Sequence, residues 1–167
     1  MSTATADLMK AFAAAWAAGS LNATFKALWS NPASTQYPVL HDQEATPGQP
    51  WPYVVMDQLT PRTVERMSGG AGFKRETRDV TMRLNVHAAT VSGDDRSAKE
   101  IAADLIAEVM SVFGGHPTTA PTATLTLDNG NHLITQYQND YGVRTGDDEY
   151  QWIIDYLFRL DVPVAIA

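Results

Sequence analysis

The hydrophobic pattern is strictest between Arg78 and Gly115. From Val80 to Ala88 every second residue is apolar (Val80, Met82, Leu84, Val86, Ala88), while Thr81, Arg83, Asn85 and His87 alternate with them. Period two predicts a strand with one buried and one wetted face. A turn follows at 91–95. Ser97 and Glu100 then have the spacing of a capping box, in which each side chain satisfies the other's free backbone amide. The helix opened there carries Ile101, Leu105, Val109 and Val112 on one stripe, widened by Ala98, Ala102, Ile106 and Phe113. Gly114–Gly115 is expected to close it with a left-handed residue.

The remaining pattern is read around that unit. Leu8, Phe12 and Trp16 fall four apart and predict a helix over 4–18. Leu21, Phe25, Leu28 and Trp29 predict a short second one. Residues 32–51 contain Pro32, Pro38, Pro47 and Pro50, with Pro52 just beyond; they predict a loop long enough to be functional or to lie over a neighbour. A first strand is expected at 52–57. From Thr60 to Lys74 a basic connection with Gly69-Gly-Ala-Gly72 at its tip predicts a hairpin arm projecting from the body. Alternation at 123–127 and 133–137 around Asp128-Asn-Gly130 predicts a hairpin, and 139–149 a polar connection. The last strand sets Tyr150, Trp152, Ile154, Tyr156, Phe158, Leu160 and Val162 on one face, to lie under the helices. Gln151, Asp155, Arg159 and Asp161 fall on the other. Strands in runs predict an α+β fold: a mostly antiparallel sheet of about five strands with helices packed on one face, an N-terminal helical pair and a long hairpin arm.

A length of 167 residues suits a single domain, with helices in 1–31, a Pro-rich loop in 32–51 and a sheet–helix core in 52–163. The run Phe12-Ala-Ala-Ala-Trp-Ala-Ala18 has some character of a signal peptide, but Asp7 and a single Lys beside it favour an amphipathic helix. No apolar run is long enough for a membrane span, and the chain has no cysteine, which excludes disulfides and fits a reducing compartment.

A net charge of −7 argues against a general nucleic-acid binder. The charge is unevenly spread: net −2 over 1–60, +3 over 61–90 and −8 over 91–167. The basic island contains Arg62, Arg66, Lys74, Arg75 and Arg78. It is a candidate contact surface for an acidic neighbour or a second copy of the chain.

Candidate chemistry is sparse. His41, His87, His116 and His132 lie on separate elements without metal-ligand spacing, and His87 beside Arg83 is expected as a surface pair. The glycine-rich tip lacks the GK[ST] of a phosphate loop. Asp94–Asp95 suits a helix N-terminus. Asp147-Asp-Glu149 suits a solubilising turn or a mate for a basic arm. No G-x-S-x-G surrounds a serine. The expectation is a protein without catalytic, cofactor or metal residues.

Taken together, Pro52-Tyr-Val-Val-Met56, Val80–Ala88, Ala98–Ile106, the Leu125-Thr-Leu-Asp-Asn-Gly130 turn and the closing Tyr156–Val162 strand resemble the tail-terminator (tail-completion) proteins of long-tailed bacteriophages. The resemblance spans most of 52–163 and rests on element order. It implies a structural virion protein, assembled in the host cytoplasm, whose copies form a ring, commonly a hexamer. Such a ring ends the tail tube and meets a neck or head-completion protein, with DNA only as passing cargo. It also makes Arg62, Arg66, Lys74, Arg75 and Arg78 candidate subunit or tail contacts. The N-terminal helices and Pro-rich loop depart from the family pattern and are candidates for neck contacts. Another neck or tail-tube protein, or a ligand-binding or enzymatic α+β domain, are the alternatives.

Overall fold

The computed structural model describes residues 3–68, 73–115 and 121–165. In chain order the elements are α1 (Thr3–Ala18), α2 (Leu21–Lys26), β1 (Leu40–Asp42), β2 (Tyr53–Ser68), β3 (Phe73–Ala89), α3 (Ala98–Phe113), β4 (Asn131–Arg144) and β5 (Glu149–Ala165). The strands form one sheet in the order β1-β2-β3-β5-β4. Only β1 and β2 run parallel; the other three pairings are antiparallel. The fold is α+β, as strands occurring in runs predict.

Burial follows the period-two pattern. Val80, Met82, Leu84, Val86 and Ala88 of β3 are buried, as are Ile154, Tyr156, Phe158, Leu160 and Val162 of β5, all on the face that carries the helices. α3 lies across β3 and β5. Its capping box is formed: Ser97 Oγ accepts from the Glu100 amide at 3.3 Å and the Glu100 carboxylate accepts from the Ser97 amide at 2.8 Å. At its other end Gly114 has φ 97° and ψ 154°. That is not the left-handed stop expected, but an extended positive-φ conformation that a side chain would strain. The buried Tyr156 hydroxyl donates to the Gly114 carbonyl at 2.6 Å, pinning the helix end to β5.

The N-terminal helices belong to this core. Phe12 stacks on Phe113 at 4.3 Å and meets Phe158 edge-on at 5.9 Å, while Trp16 packs on Phe25 at 5.7 Å. Their apolar stripes are therefore engaged within the subunit, and only the outer faces are left for a neighbour.

Three strand expectations need correction. First, 123–127 is not a strand: the Thr122 and Ala123 amides both donate to the Val112 carbonyl, and Leu125 inserts into the core. An extended segment tethered to a helix end can show the alternation of a strand without any strand partner. Second, 139–149 is not a connection. β4 continues to Arg144 and turns directly into β5, with the Thr145 amide donating to the Glu149 carbonyl at 3.3 Å. β4 is an edge strand without a single buried residue, and its exposed and half-buried positions alternate with a phase that two register shifts reverse, so no continuous period two runs along it. Third, the Pro-rich loop contributes β1, which pairs with Val54–Met56.

The arm also differs from a simple hairpin. β2 and β3 stay paired as far as Ser68↔Lys74, but β5 accompanies β3 throughout, to Phe73↔Ala165. The projecting part is thus three-stranded. At 17 residues each, β3 and β5 are roughly 55 Å long, whereas the 16 residues of α3 cover about 24 Å. The sheet outruns its helical cover. Gly69–Gly72 and His116 lie outside the described residues.

Candidate assembly interface

Strand periodicity decides which side chains share the uncovered face of the sheet. Odd-numbered residues of β3 and β5 are turned away from the helices, and the antiparallel register sets them opposite one another. Asp79 faces Arg159 and Arg83 faces Asp155, and the side chains form paired hydrogen bonds of 2.8 and 2.9 Å in the first case and 2.8 and 3.0 Å in the second. Arg75 reaches Asp161 diagonally, its Nε donating at 3.0 Å. A polar row crosses three strands beyond them: Gln151 donates to Asn85 at 3.0 Å, and Asn85 donates to Asp57 at 2.8 Å. Cross-strand pairs of this kind stabilise a wetted sheet face.

The predicted basic residues take different places on this frame. Arg75 is paired with Asp161, and Arg78 with Glu76 at 3.0 Å. Arg62 is exposed on β2, opposite Asp79 in register. Hydrogen bonds from Arg159 are the main reason the Asp79 carboxyl lies below its ordinary range, and the Arg62 charge adds to them. Arg66 and Lys74 are aligned with Glu76 and Ser68 along the backbone, and their side chains lie outside the described residues. The arm is therefore basic by composition, yet two of its arginines already hold carboxylates of their own subunit.

The acidic turn at 147–149 is at the far end of the sheet from this arm: β5 begins beside Ala89 and ends beside Phe73. Within one subunit it cannot be the arm's mate. His87 is not the surface partner of Arg83 that the spacing suggests. It stacks on Tyr53 at 4.8 Å with Trp51 edge-on at 5.9 Å, and burial lowers its pKa. The register partner of His87 is Tyr53, which itself meets His41 edge-on at 5.8 Å. This aromatic row is missed by sequence reasoning because Trp51 and His41 belong to the Pro-rich loop, where no periodicity assigns a face.

On the helix side of the sheet, Asp140 accepts from the Tyr137 hydroxyl and from Trp152 Nε1, the latter at 2.7 Å. Burial, then the Asp140 contact, push the Tyr137 hydroxyl up to about 12. Asp79, Asp94 and Glu100 have carboxyl groups held below their ordinary range, Asp94 at about 2 under hydrogen bonds from Arg96. Among the described residues no group of three metal-ligating side chains converges, and no helix is long and apolar enough to cross a membrane.

What the sheet does expose is backbone. β4 is the last strand on one side. On the other, β1 covers β2 only as far as Met56, leaving Asp57–Ser68 without an outer partner among the described residues. All the exposed large hydrophobics found among the described residues are on β4: Leu133, Ile134, Tyr141 and Val143, each 42–47% accessible. Ile134, Tyr141 and Val143 are in register with Arg159, Ile153 and Gln151, so they flank the ion-paired face. Sequence reasoning misses this edge, because 139–144, nearly half of β4, reads as part of a polar connection.

No protein-family model and no curated protein matches the chain. Among solved structures it is similar to a chain of the "Virion of native gene transfer agent (GTA) particle", at 19% identity and a TM-score of 0.38, over 75% of this chain and 79% of that one.

Proposed function

We propose that this chain is a structural virion protein, the subunit of a ring that ends a phage tail tube and joins it to the neck. The observation that carries the reading is the pair of sheet edges left open among the described residues on opposite sides of one subunit, with the exposed large apolar residues found among the described side chains lying on β4. Long unblocked edges are a liability in a solitary domain, and a subunit with two different contact surfaces builds rings or filaments. The order of elements across 52–163, on which the resemblance to tail-terminator proteins rests, agrees with this reading. So does the split between a basic 61–90 and an acidic 91–167. In such a ring the arm with Arg62, Arg66, Lys74, Arg75 and Arg78 would meet a neighbouring subunit or the tube. Of these, exposed Arg62 has the freest charge among the described side chains.

Native mass spectrometry and negative-stain imaging of the purified chain, alone and with tail tubes, test the proposal. A closed ring is expected, six-fold if the resemblance holds, with tubes capped at one end. Arg62→Glu with Arg66→Glu should weaken assembly while leaving the far-ultraviolet circular dichroism unchanged. A chain that stays monomeric at every concentration and leaves tubes uncapped would overturn it.

A further inference from the structure

We propose that Asn129 is a site of spontaneous covalent modification: the backbone amide of Gly130 closes on the Asn129 side chain, ammonia leaves, and the aspartate or isoaspartate formed loosens α1 from the turn that starts β4. Nothing in this chemistry depends on the ring reading.

Sequence and exposure single this residue out. Of the six asparagines, only Asn129 is followed by glycine. A side chain on the following residue shields its amide from the ring closure, and glycine has none. Asn31 precedes a proline, which has no N–H to attack with. Asn85 is buried on β3 before a valine, Asn22 lies in α2, and Asn131 and Asn139 are held within β4. Asn129 is exposed, in the turn just before β4, so water can reach it for the second step.

The step balances within the turn. The Gly130 nitrogen bonds to Asn129 Cγ, the Cγ–Nδ2 bond breaks, and the displaced group leaves as ammonia with the proton the Gly130 nitrogen gives up. Water then opens the imide ring. Opening at Cγ yields aspartate; opening at the main-chain carbonyl yields isoaspartate, whose main chain is one atom longer. The fold keeps the labile dipeptide in place. Gly130 has φ 149°, and a Cβ there would come within 2.8 Å of the Asp161 carbonyl oxygen, so the glycine is required. Asn129 Nδ2 donates to Asp7 of α1 at 3.3 Å, so an aspartate in its place would set carboxylate against carboxylate.

The same contacts define what the modification does. Two side-chain bonds tie α1 to this turn: Asn129 to Asp7, and Lys10 to Asp128 at 2.6 Å. Loss of the amide removes the first and adds a carboxylate beside Asp7 and Asp128, whose charges Lys10 already answers. Isoaspartate also unseats Gly130 from Asp161, where the pairing of β4 with β5 begins at Asn131↔Asp161. Leu133 and Ile134, exposed on β4, follow directly, so an aged chain presents the start of this edge differently from a fresh one. The body of α1 stays docked through Phe12 and Trp16, which pack on Phe113 and Phe25, so the change is confined to its first turns.

Peptide mass spectrometry of the full folded chain, aged at mildly alkaline pH, tests the modification. Asn129 should lose its amide roughly tenfold faster than any other asparagine, giving both aspartate and isoaspartate, and Asn129→Gln should suppress the loss. Loss at Asn129 no faster than at the other asparagines would overturn the proposal. Hydrogen–deuterium exchange reads the consequence. In Asn129→Asp, peptides covering 3–10 and 128–134 should exchange roughly threefold faster than in the unmodified chain, the size expected for an exposed contact, while those of α3 stay unchanged. Adding Asp7→Asn should restore the original rates, because the hydrogen bond re-forms with donor and acceptor exchanged. Unchanged rates in Asn129→Asp, or no recovery in the double variant, would overturn the loosening of α1. Ring formation is read separately by native mass and is untouched by either outcome.

Discussion

Replacing Arg83 with alanine removes two hydrogen bonds, of 2.8 and 3.0 Å, from Asp155. The two partners are unequally placed: the Arg83 side chain is 32% accessible and that of Asp155 only 10%. Breaking a fully buried pair costs about 3–5 kcal/mol, and an exposed one less than about 1 kcal/mol. Arg83→Ala leaves a nearly buried carboxylate unpaired, so a cost of about 2–3 kcal/mol is expected after discounting for solvent. Asp155→Ala leaves an arginine that can turn to water, and about 1 kcal/mol is expected. The double variant should lie close to Arg83→Ala or recover part of its loss, giving a coupling energy of about 1–2 kcal/mol. Urea unfolding of the four proteins measures these values, provided the slope with denaturant is unchanged. By melting temperature the arginine variant should fall by roughly 5–10 °C. Costs that simply add, or a larger loss from Asp155→Ala than from Arg83→Ala, would refute the claim that partial burial makes this pair matter.

Two further predictions concern the core and its titration. Tyr156→Phe leaves the buried Gly114 carbonyl without its donor, and should cost about 1–3 kcal/mol in the same urea assay; a neutral effect would mean that the helix end is not held by this bond. For pH, burial lowers the pKa of His41, His87 and His132 from 6.5. The unfolded chain therefore binds more protons than the folded one below about pH 6.5, and stability should be level above that value and fall as the solution is acidified below it. A second decline follows below about pH 4, where Asp79, Asp94 and Glu100 lose the interactions that depress them. Urea midpoints between pH 8 and pH 3 check both limbs, and a rise in stability from pH 7 to pH 5.5 would contradict the histidine burial.

The parts of the fold that were legible in the sequence are those where burial disciplines the pattern. β3 and β5 lie under helices on one face, so their alternation is strict, and α3 announces itself by its stripe and its capping box. The illegible parts have a physical cause. β4 has one exposed and one half-buried face, and two register shifts reverse its phase, so no continuous alternation marks it as a strand. Leu125 alternates like a strand residue because it inserts into the core from a segment bound to the end of α3. β1 is three residues long among prolines, below what a pattern can reveal. The candidate interface divides in the same way. Its basic residues could be found from charge alone, but that Asp161 and Glu76 already occupy Arg75 and Arg78 depends on strand register and on how each side chain turns. The exposed backbone of β4 is invisible to any reading of side chains.

The three arginine–aspartate pairs on the open face have one more consequence. Their dipoles alternate in direction: Arg75, Asp79 and Arg83 on β3 pair with Asp161, Arg159 and Asp155 on β5. Successive pairs are roughly 13 Å apart along the strands. Fields from dipoles that alternate in this way cancel quickly with height, and at physiological salt charges are screened within about 8 Å. A polyanion would gain little attraction from these three pairs, which leaves the exposed Arg62 beside Asp79 as a charge for it to meet on this face. The face is thus held together by charges whose fields largely cancel one another a short distance above it.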